Sequence, residues 1–208
     1  MQAWLGHPHL RVITNKDCTF EQKIDKLLKG VYSLLGIPVP LEIERKFLVE
    51  KPDITELQKK FNCNTVEIIQ TYLTELESGV ERRVRQRGIN GSYTFYYTEK
   101  QKINELTRIE KEKKITQDEY IRLLAEADTS LHQIKKRRTC FVNDGTYFEL
   151  DIYPFLEDKA ILEIEFTEET ESKHTKIPKE IKIIADVTDD ERYKNRSIAE
   201  KLCIPKLN

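Results

Sequence analysis

The chain has 208 residues, 34% of them charged and 38% hydrophobic, which suits one domain, or one domain with an appendage, and a sizeable core. Its 35 Lys and Arg nearly cancel its 36 Asp and Glu. A net charge of −1 argues against a protein that grips nucleic acid through bulk charge, and against disorder driven by self-repulsion.

Seven Gly and seven Pro exclude a linker-dominated chain, and no apolar run approaches the roughly 18 residues of a membrane span. The opening MQAWLGHPHLRVITN lacks the basic and apolar regions of a secretory signal, so a cytoplasmic protein is expected. Cys18, Cys63, Cys140 and Cys203 are widely separated and read as free thiols of a reducing compartment. His7-Pro8-His9 has no third ligand in view, so zinc chemistry is not indicated.

In chain order, Leu10–Thr14 (LRVIT) predicts a short strand. Thr19-Phe20-Glu21-Gln22 is a capping box opening a helix, whose Ile24, Leu27, Leu28, Val31, Leu34 and Leu35 predict one packed face. Gly36 and Pro38-Val39-Pro40 set a boundary, dividing an extension over 1–40 from a domain over 41–208. Eight strands follow, near 41–49, 67–75, 81–88, 92–101, 107–114, 133–142, 146–153 and 160–168. Hairpin turns are marked at Asn90-Gly91 and Asn143-Asp144-Gly145. Helices are predicted over about 53–61, from the capping box at Thr116 to about Ala127, and near 190–202.

Side chains alternate between the two faces of a strand, and here one face is almost purely charged. The acids are Glu42, Glu44, Glu110, Glu112, Glu149, Asp151, Glu163 and Glu165; the bases are Lys46, Arg83, Arg85, Arg87, Lys100, Arg108, Lys136 and Arg138. For one strand alone the ordinary explanation is a charged face in water. Three features of the set point elsewhere. The faces carry little Thr, Ser or Gln; the acids come in pairs two residues apart; and eight strands with few long loops are enough to close a barrel with an interior. If the apolar faces pack outward against helices, the charges point inward. Facing carboxylates repel, and hard divalent ions such as Mg²⁺ or Mn²⁺ relieve this through oxygen ligands. The bases would then suit a polyanion.

At Glu42-Ile43-Glu44-Arg45-Lys46 the chain resembles the ExExK signature of the CYTH, or triphosphate tunnel metalloenzyme, family. The likeness continues through the Arg-rich strand Glu81–Gly88, Thr98-Glu99-Lys100, Arg108–Glu112, Lys136–Arg138, Phe148–Asp151, Leu162–Phe166 and a closing segment over 186–199. The spacing from Arg85 to Lys100 departs from the family pattern. The resemblance implies an α+β fold: an eight-stranded antiparallel β-barrel forming a triphosphate tunnel, with outer helices and a C-terminal plug helix. It implies Glu42, Glu44, Asp151, Glu163 and Glu165 as ligands of Mg²⁺ or Mn²⁺. Lys46, Arg83, Arg85, Lys100, Arg108, Lys136 and Arg138 would bind substrate, with Lys194 or Arg196 reaching in from the closing helix. Glu44, Glu165 and Lys46 carry the catalytic expectation, and Glu110 and Glu112 would orient the bases or join the metal site.

Trp4–Ile13 resembles the last strand region of a P-loop kinase-like domain found upstream of some family members, although no GxxxxGK[ST] is present. An NTPase domain, fused or separate, is the partner this implies. Three functions follow as expectations: metal-dependent hydrolysis of a triphosphate-bearing small molecule; binding of phosphate, nucleotide or anionic lipid headgroup without turnover; or adenylate cyclisation of the class IV type.

Overall fold

All eight segments with period-two alternation are strands in the computed structural model. It describes residues 4–14, 19–35, 37, 39–40, 43–102, 107–166 and 175–203, without the side chains at 39, 40, 43, 102, 107 and 108. They are β2 (Ile43–Glu50), β3 (Asn64–Leu73), β4 (Val80–Ile89), β5 (Ser92–Lys102), β6 (Thr107–Ile115), β7 (Ile134–Asn143), β8 (Thr146–Ile152) and β9 (Lys159–Phe166). Two short strands are added, β1 (Val39–Pro40) and β10 (Ile183–Asp186). Asn90-Gly91 and Asp144-Gly145 form the two tight hairpins, each with positive φ at both residues, as a type I′ turn requires.

One antiparallel sheet results, in the order β1-β6-β5-β4-β3-β7-β8-β9-β2-β10. The antiparallel sheet with helices on it is as expected, but it is not closed by hydrogen bonds: among the described residues none join the two ends of this order, which are the short β1 and β10. The sheet nevertheless curls. β1 pairs with β6 and β2 pairs with β9, yet only residues 41 and 42 separate β1 from β2. Three peptide steps reach about 11 Å at most, so the chain itself holds the two ends of the sheet together.

The outer face is apolar and covered. Phe47, Val49, Phe141, Phe148, Leu150, Leu162 and Ile164 pack with Ile181 and with Leu57 of α2 (Ile54–Lys60), which Asp53 caps. Leu73, Val84 and Ile115 pack under Tyr120 of α3 (Gln117–Leu124), whose Thr116–Glu119 capping box is formed. The inner face is charged along most of its length and turns apolar at one end. There Leu48, Tyr72, Ile134 and Ile161 meet Tyr193 of a 3₁₀ turn (Glu191–Tyr193) and Ile198 and Ala199 of α4 (Asn195–Lys201). The closing helix is therefore a plug, as expected, though shorter than its predicted span.

The N-terminal extension departs from expectation twice. Leu10–Thr14 is not a strand. It lies along the tunnel mouth, with Thr14 against Gly145 of the β7–β8 turn, and forms no ladder with the sheet. Helix α1 (Phe20–Leu34) forms behind its Thr19–Gln22 capping box and touches β6 and β1, but its apolar face is not packed. Leu27, Leu34 and Leu35 are more than half exposed, and among the described residues of the helix only Lys26 is buried. No described helix is long and apolar enough to cross a membrane.

Candidate active site

The register of the sheet sets the inner face pair by pair. Directly opposed residues share a face, and the ladders oppose Glu44 to Glu165, Lys46 to Glu163, Glu149 to Glu163, and Arg138 to Asp151. On the other wall Gln70 faces Arg85, Arg83 faces Thr98, Thr98 faces Glu112, and Lys100 faces Glu110. These residues, Thr98 and Asp151 apart, border one cavity of about 580 Å³. Ten Lys and Arg and eight Glu line it, so the wall favours an anion before any metal is added.

Three ionic clusters divide the wall. In the first, the Asp151 carboxylate, fully buried, accepts from Lys136 Nζ at 2.5 Å and from Arg138 Nε at 2.6 Å. Arg138 also holds Glu149 and Glu163. In the second, Lys46 Nζ lies 3.0 Å from Glu163 and 3.2 Å from Glu44. Burial works to lower the Lys46 pKa, yet Glu163 and Glu44 hold it above the usual lysine value. Glu163 is held well below the carboxylate range, since Lys46, Lys136 and Arg138 together outweigh its burial. Glu44 moves the other way, raised by burial and by the charge of Glu163 against the pull of Lys46.

In the third cluster Glu110 takes Lys100 at 2.7 Å and Arg83 at 3.2 Å, while Glu112 takes Arg85 at 2.7 Å and the Thr98 hydroxyl at 3.0 Å. Lys100 thus stands in register despite the unusual spacing before it. Burial pulls Arg85 down to about 10; Arg83, Arg87 and Arg138 reinforce the fall and Glu112 opposes it. A guanidinium in such surroundings keeps its charge and gains from a nearby anion.

Among the described residues, four buried side-chain polar atoms have no hydrogen-bond partner: Gln70 Nε2, Arg83 Nε, Arg85 Nε and an Arg196 terminal nitrogen. All four are donors, and all four residues line this cavity. Leaving such a group unmade costs about 1–3 kcal/mol, more when it is charged.

Most sequence-predicted residues are brought together here. Glu42 lies outside the described residues, as does the Arg108 side chain. Lys194 reaches the rim, where it pairs with Glu191, while Arg196 goes further in, over the Tyr72 ring. Arg87 borders the cavity but donates to the Gly6 carbonyl. Sequence reasoning passed over Gln70, His9 and Arg11 as members of the wall. Gln70 had a signal, since it shares the strand face of Ile68 and Tyr72. His9 and Arg11 had none, because their segment lies outside the sheet.

No protein-family model matches the chain, and no curated protein matches it. Solved structures do. The inorganic triphosphatase NE1496 is 30% identical, with 80% of this chain and 97% of that one covered and a TM-score of 0.54. The chain belongs to the CYTH, or triphosphate tunnel metalloenzyme, family. A second structure of NE1496 matches at 30% identity over 79% of this chain and all of that one, again with a TM-score of 0.54. Protein PH1819 from Pyrococcus horikoshii is 25% identical, with 63% of this chain and 81% of that one covered and a TM-score of 0.46.

The family implies a divalent metal, and the carboxylates fit one unevenly. Glu44 and Glu165 oppose each other across β2 and β9, each about half exposed to the lumen, and offer the hard oxygen donors that Mg²⁺ or Mn²⁺ prefers. Asp151 and Glu163 are already saturated by Lys46, Lys136 and Arg138. Among the described residues no three candidate ligands converge on one point. The carboxylates that fit a metal as they stand are therefore Glu44 and Glu165.

Proposed function

We propose that the protein is a divalent-metal-dependent hydrolase of triphosphates that cleaves the terminal phosphoanhydride inside the tunnel. The observation that carries this is the convergence of ten Lys and Arg, Arg83, Arg85 and Arg138 among them, on one cavity whose wall also holds an opposed carboxylate pair. A ligand that binds only as an anion gains nothing from Glu44 facing Glu165, so the pair supports turnover over simple capture. The inorganic triphosphatase activity named for NE1496 supports the same class of substrate, and inorganic triphosphate is the first to test.

Each group has a distinct task. Arg83 and Arg85 grip phosphate oxygens through the guanidinium edges that Glu110 and Glu112 leave free. Lys100 adds a point charge beside them. Lys136 and Arg138, fixed by Asp151, form a rigid positive floor. Lys46, kept protonated by its two glutamates, neutralises charge that develops on the transferred phosphoryl group. Glu44 and Glu165, with Glu42 two residues before Glu44 in sequence, would hold Mg²⁺ or Mn²⁺. When bound, the ion supplies Lewis-acid neutralisation of the phosphate oxygens. Hydrolysis adds water across the terminal P–O–P bond and yields orthophosphate and the shortened phosphate.

Replacing Glu44 or Glu165 by Gln keeps size and hydrogen bonding but removes charge. Each variant is expected to fold and to lose at least 100-fold in phosphate release, by analogy with the ~10²-fold or larger effect of losing one group that acts on transition-state charge. Full activity in both would overturn the proposal. Triphosphate binding without turnover by the wild type, under either metal, would reassign the protein as a binding module.

A further inference from the structure

The tunnel is stoppered at both ends, and the second stopper belongs to no strand. α4 fills the end lined by Leu48, Tyr72 and Ile161. At the opposite end the chain over 4–11 is fastened to four strands. Arg87 of β4 donates from Nε to the Gly6 carbonyl at 3.0 Å, and from Nη2 to the same oxygen. Asn64 of β3 donates to the Leu5 carbonyl at 2.6 Å, and the Gly6 N–H donates to the Tyr147 hydroxyl of β8 at 3.2 Å. Leu5 is buried, and a side chain at Gly6, where φ is +82°, would crowd Val66 and Asn64. The His9 ring stands edge-on to Tyr96 of β5.

So fastened, the segment turns two side chains into the cavity. His9 Nε2 lies 3.9 Å from Glu112, the carboxylate that holds Arg85. Arg11 lies 3.5 Å from Glu165, on the wall where the strands place the opposed acids. The strand cations on this side are already engaged, Lys46 by Glu44 and Glu163, and Lys136 and Arg138 by Asp151, Glu149 and Glu163.

We propose that residues 4–11 are an integral wall of the binding site, and that Arg11 and His9 contact the bound triphosphate from the side where the strand cations are already held by carboxylates. Arg87 is then a positioning residue: it acts through the Gly6 carbonyl, on which an arginine in line with Arg83 and Arg85 spends its guanidinium. The inference rests on the triphosphate reading of the same cavity.

The test is calorimetric titration with inorganic triphosphate in EDTA, together with KM for phosphate release under Mg²⁺. R11A is expected to weaken binding about 10- to 100-fold, the range for a lost hydrogen bond to a charged group. H9A is expected to weaken it about 3- to 10-fold, as for a neutral one. R87K keeps the charge but loses the two-pronged hold on Gly6. It should weaken binding as R11A does, and the double variant R11A/R87K should fall short of the product of the two single losses, exceeding the R11A loss by no more than the His9 share of about 3- to 10-fold, because both act through one segment. Unchanged affinity and KM in R11A and H9A would overturn the inference while leaving triphosphate hydrolysis intact. Additive losses in the double variant would overturn the positioning role of Arg87. A wild type that neither binds nor hydrolyses triphosphate would overturn the underlying function instead.

Discussion

Arg85 shows how a single side chain registers the charge its cavity expects. It is paired with Glu112, yet its pKa falls to about 10 because burial and three neighbouring guanidinium groups outweigh that partner. An incoming phosphate reverses the balance. Arg85→Met is therefore expected to raise KM for triphosphate about 10- to 100-fold, and to shrink the thermal stabilisation that triphosphate confers; steady-state kinetics and thermal melts check both. Glu163 makes the complementary case. Its folded pKa lies well below that of an unfolded glutamate, about 4.3, because Lys46, Lys136 and Arg138 surround it. The stability it contributes is present above the unfolded pKa and is lost as pH falls through the folded one. Glu163→Gln leaves three buried cations without that charge and is expected to cost about 3 kcal/mol at pH 7. It should also flatten the fall in Tm below about pH 5, where the unfolded-state carboxylate begins to protonate. An unaltered acid limb in thermal melts from pH 3 to 7 would contradict this.

Among the elements, the β4–β5 hairpin supports the wall that carries Arg83 and Arg85, and Gly88 is its tightest point. A Cβ there would run into the Ser92 carbonyl oxygen and the Tyr93 Cα, both backbone. Gly88→Ala is expected to cost 2 kcal/mol or more, toward the upper range of single substitutions, and to lower Arg83 and Arg85 function with it; denaturant unfolding is the check. The strands themselves were legible in sequence because period-two alternation and two Asn-Gly or Asp-Gly turns leave little freedom in register. The inward set was legible for the same reason: one residue of slip would turn Glu44, Lys46 and Leu48 outward together. Three things were not legible. Leu10–Thr14 has strand composition, but its contacts are to a turn and a mouth, which no local pattern encodes. The α1 stripe predicted a packed face, and periodicity cannot say whether a partner is present. Saturation of Asp151 and Glu163 by Lys136, Arg138 and Lys46 depends on side-chain distances between paired strands, which alternation along one strand does not give, so a pair of acids reads as a metal ligand set until the cations beside it are placed.

For the molecule as a whole, a net charge of −1 conceals a strong internal division. Ten Lys and Arg converge on one cavity with eight Glu, and the remaining charge lies outside it. Such an interior stores electrostatic tension that a polyanion relieves, so ligand and fold should be strongly linked. At a hundred times its Kd a triphosphate adds about 2.7 kcal/mol, a rise in Tm of about 5 to 10 °C for a chain of this size. Orthophosphate, which cannot span the separate Arg83–Arg85 and Lys136–Arg138 clusters, should give much less at equal concentration.

The most direct measurement is phosphate release from inorganic triphosphate, thiamine triphosphate, ATP and pyrophosphate, each with Mg²⁺, with Mn²⁺ and with EDTA. Release from at least one triphosphate under a divalent ion, absent in EDTA and absent from pyrophosphate, is the predicted result. No release from any triphosphate by folded protein with either metal would contradict the assignment of this cavity as a hydrolytic site.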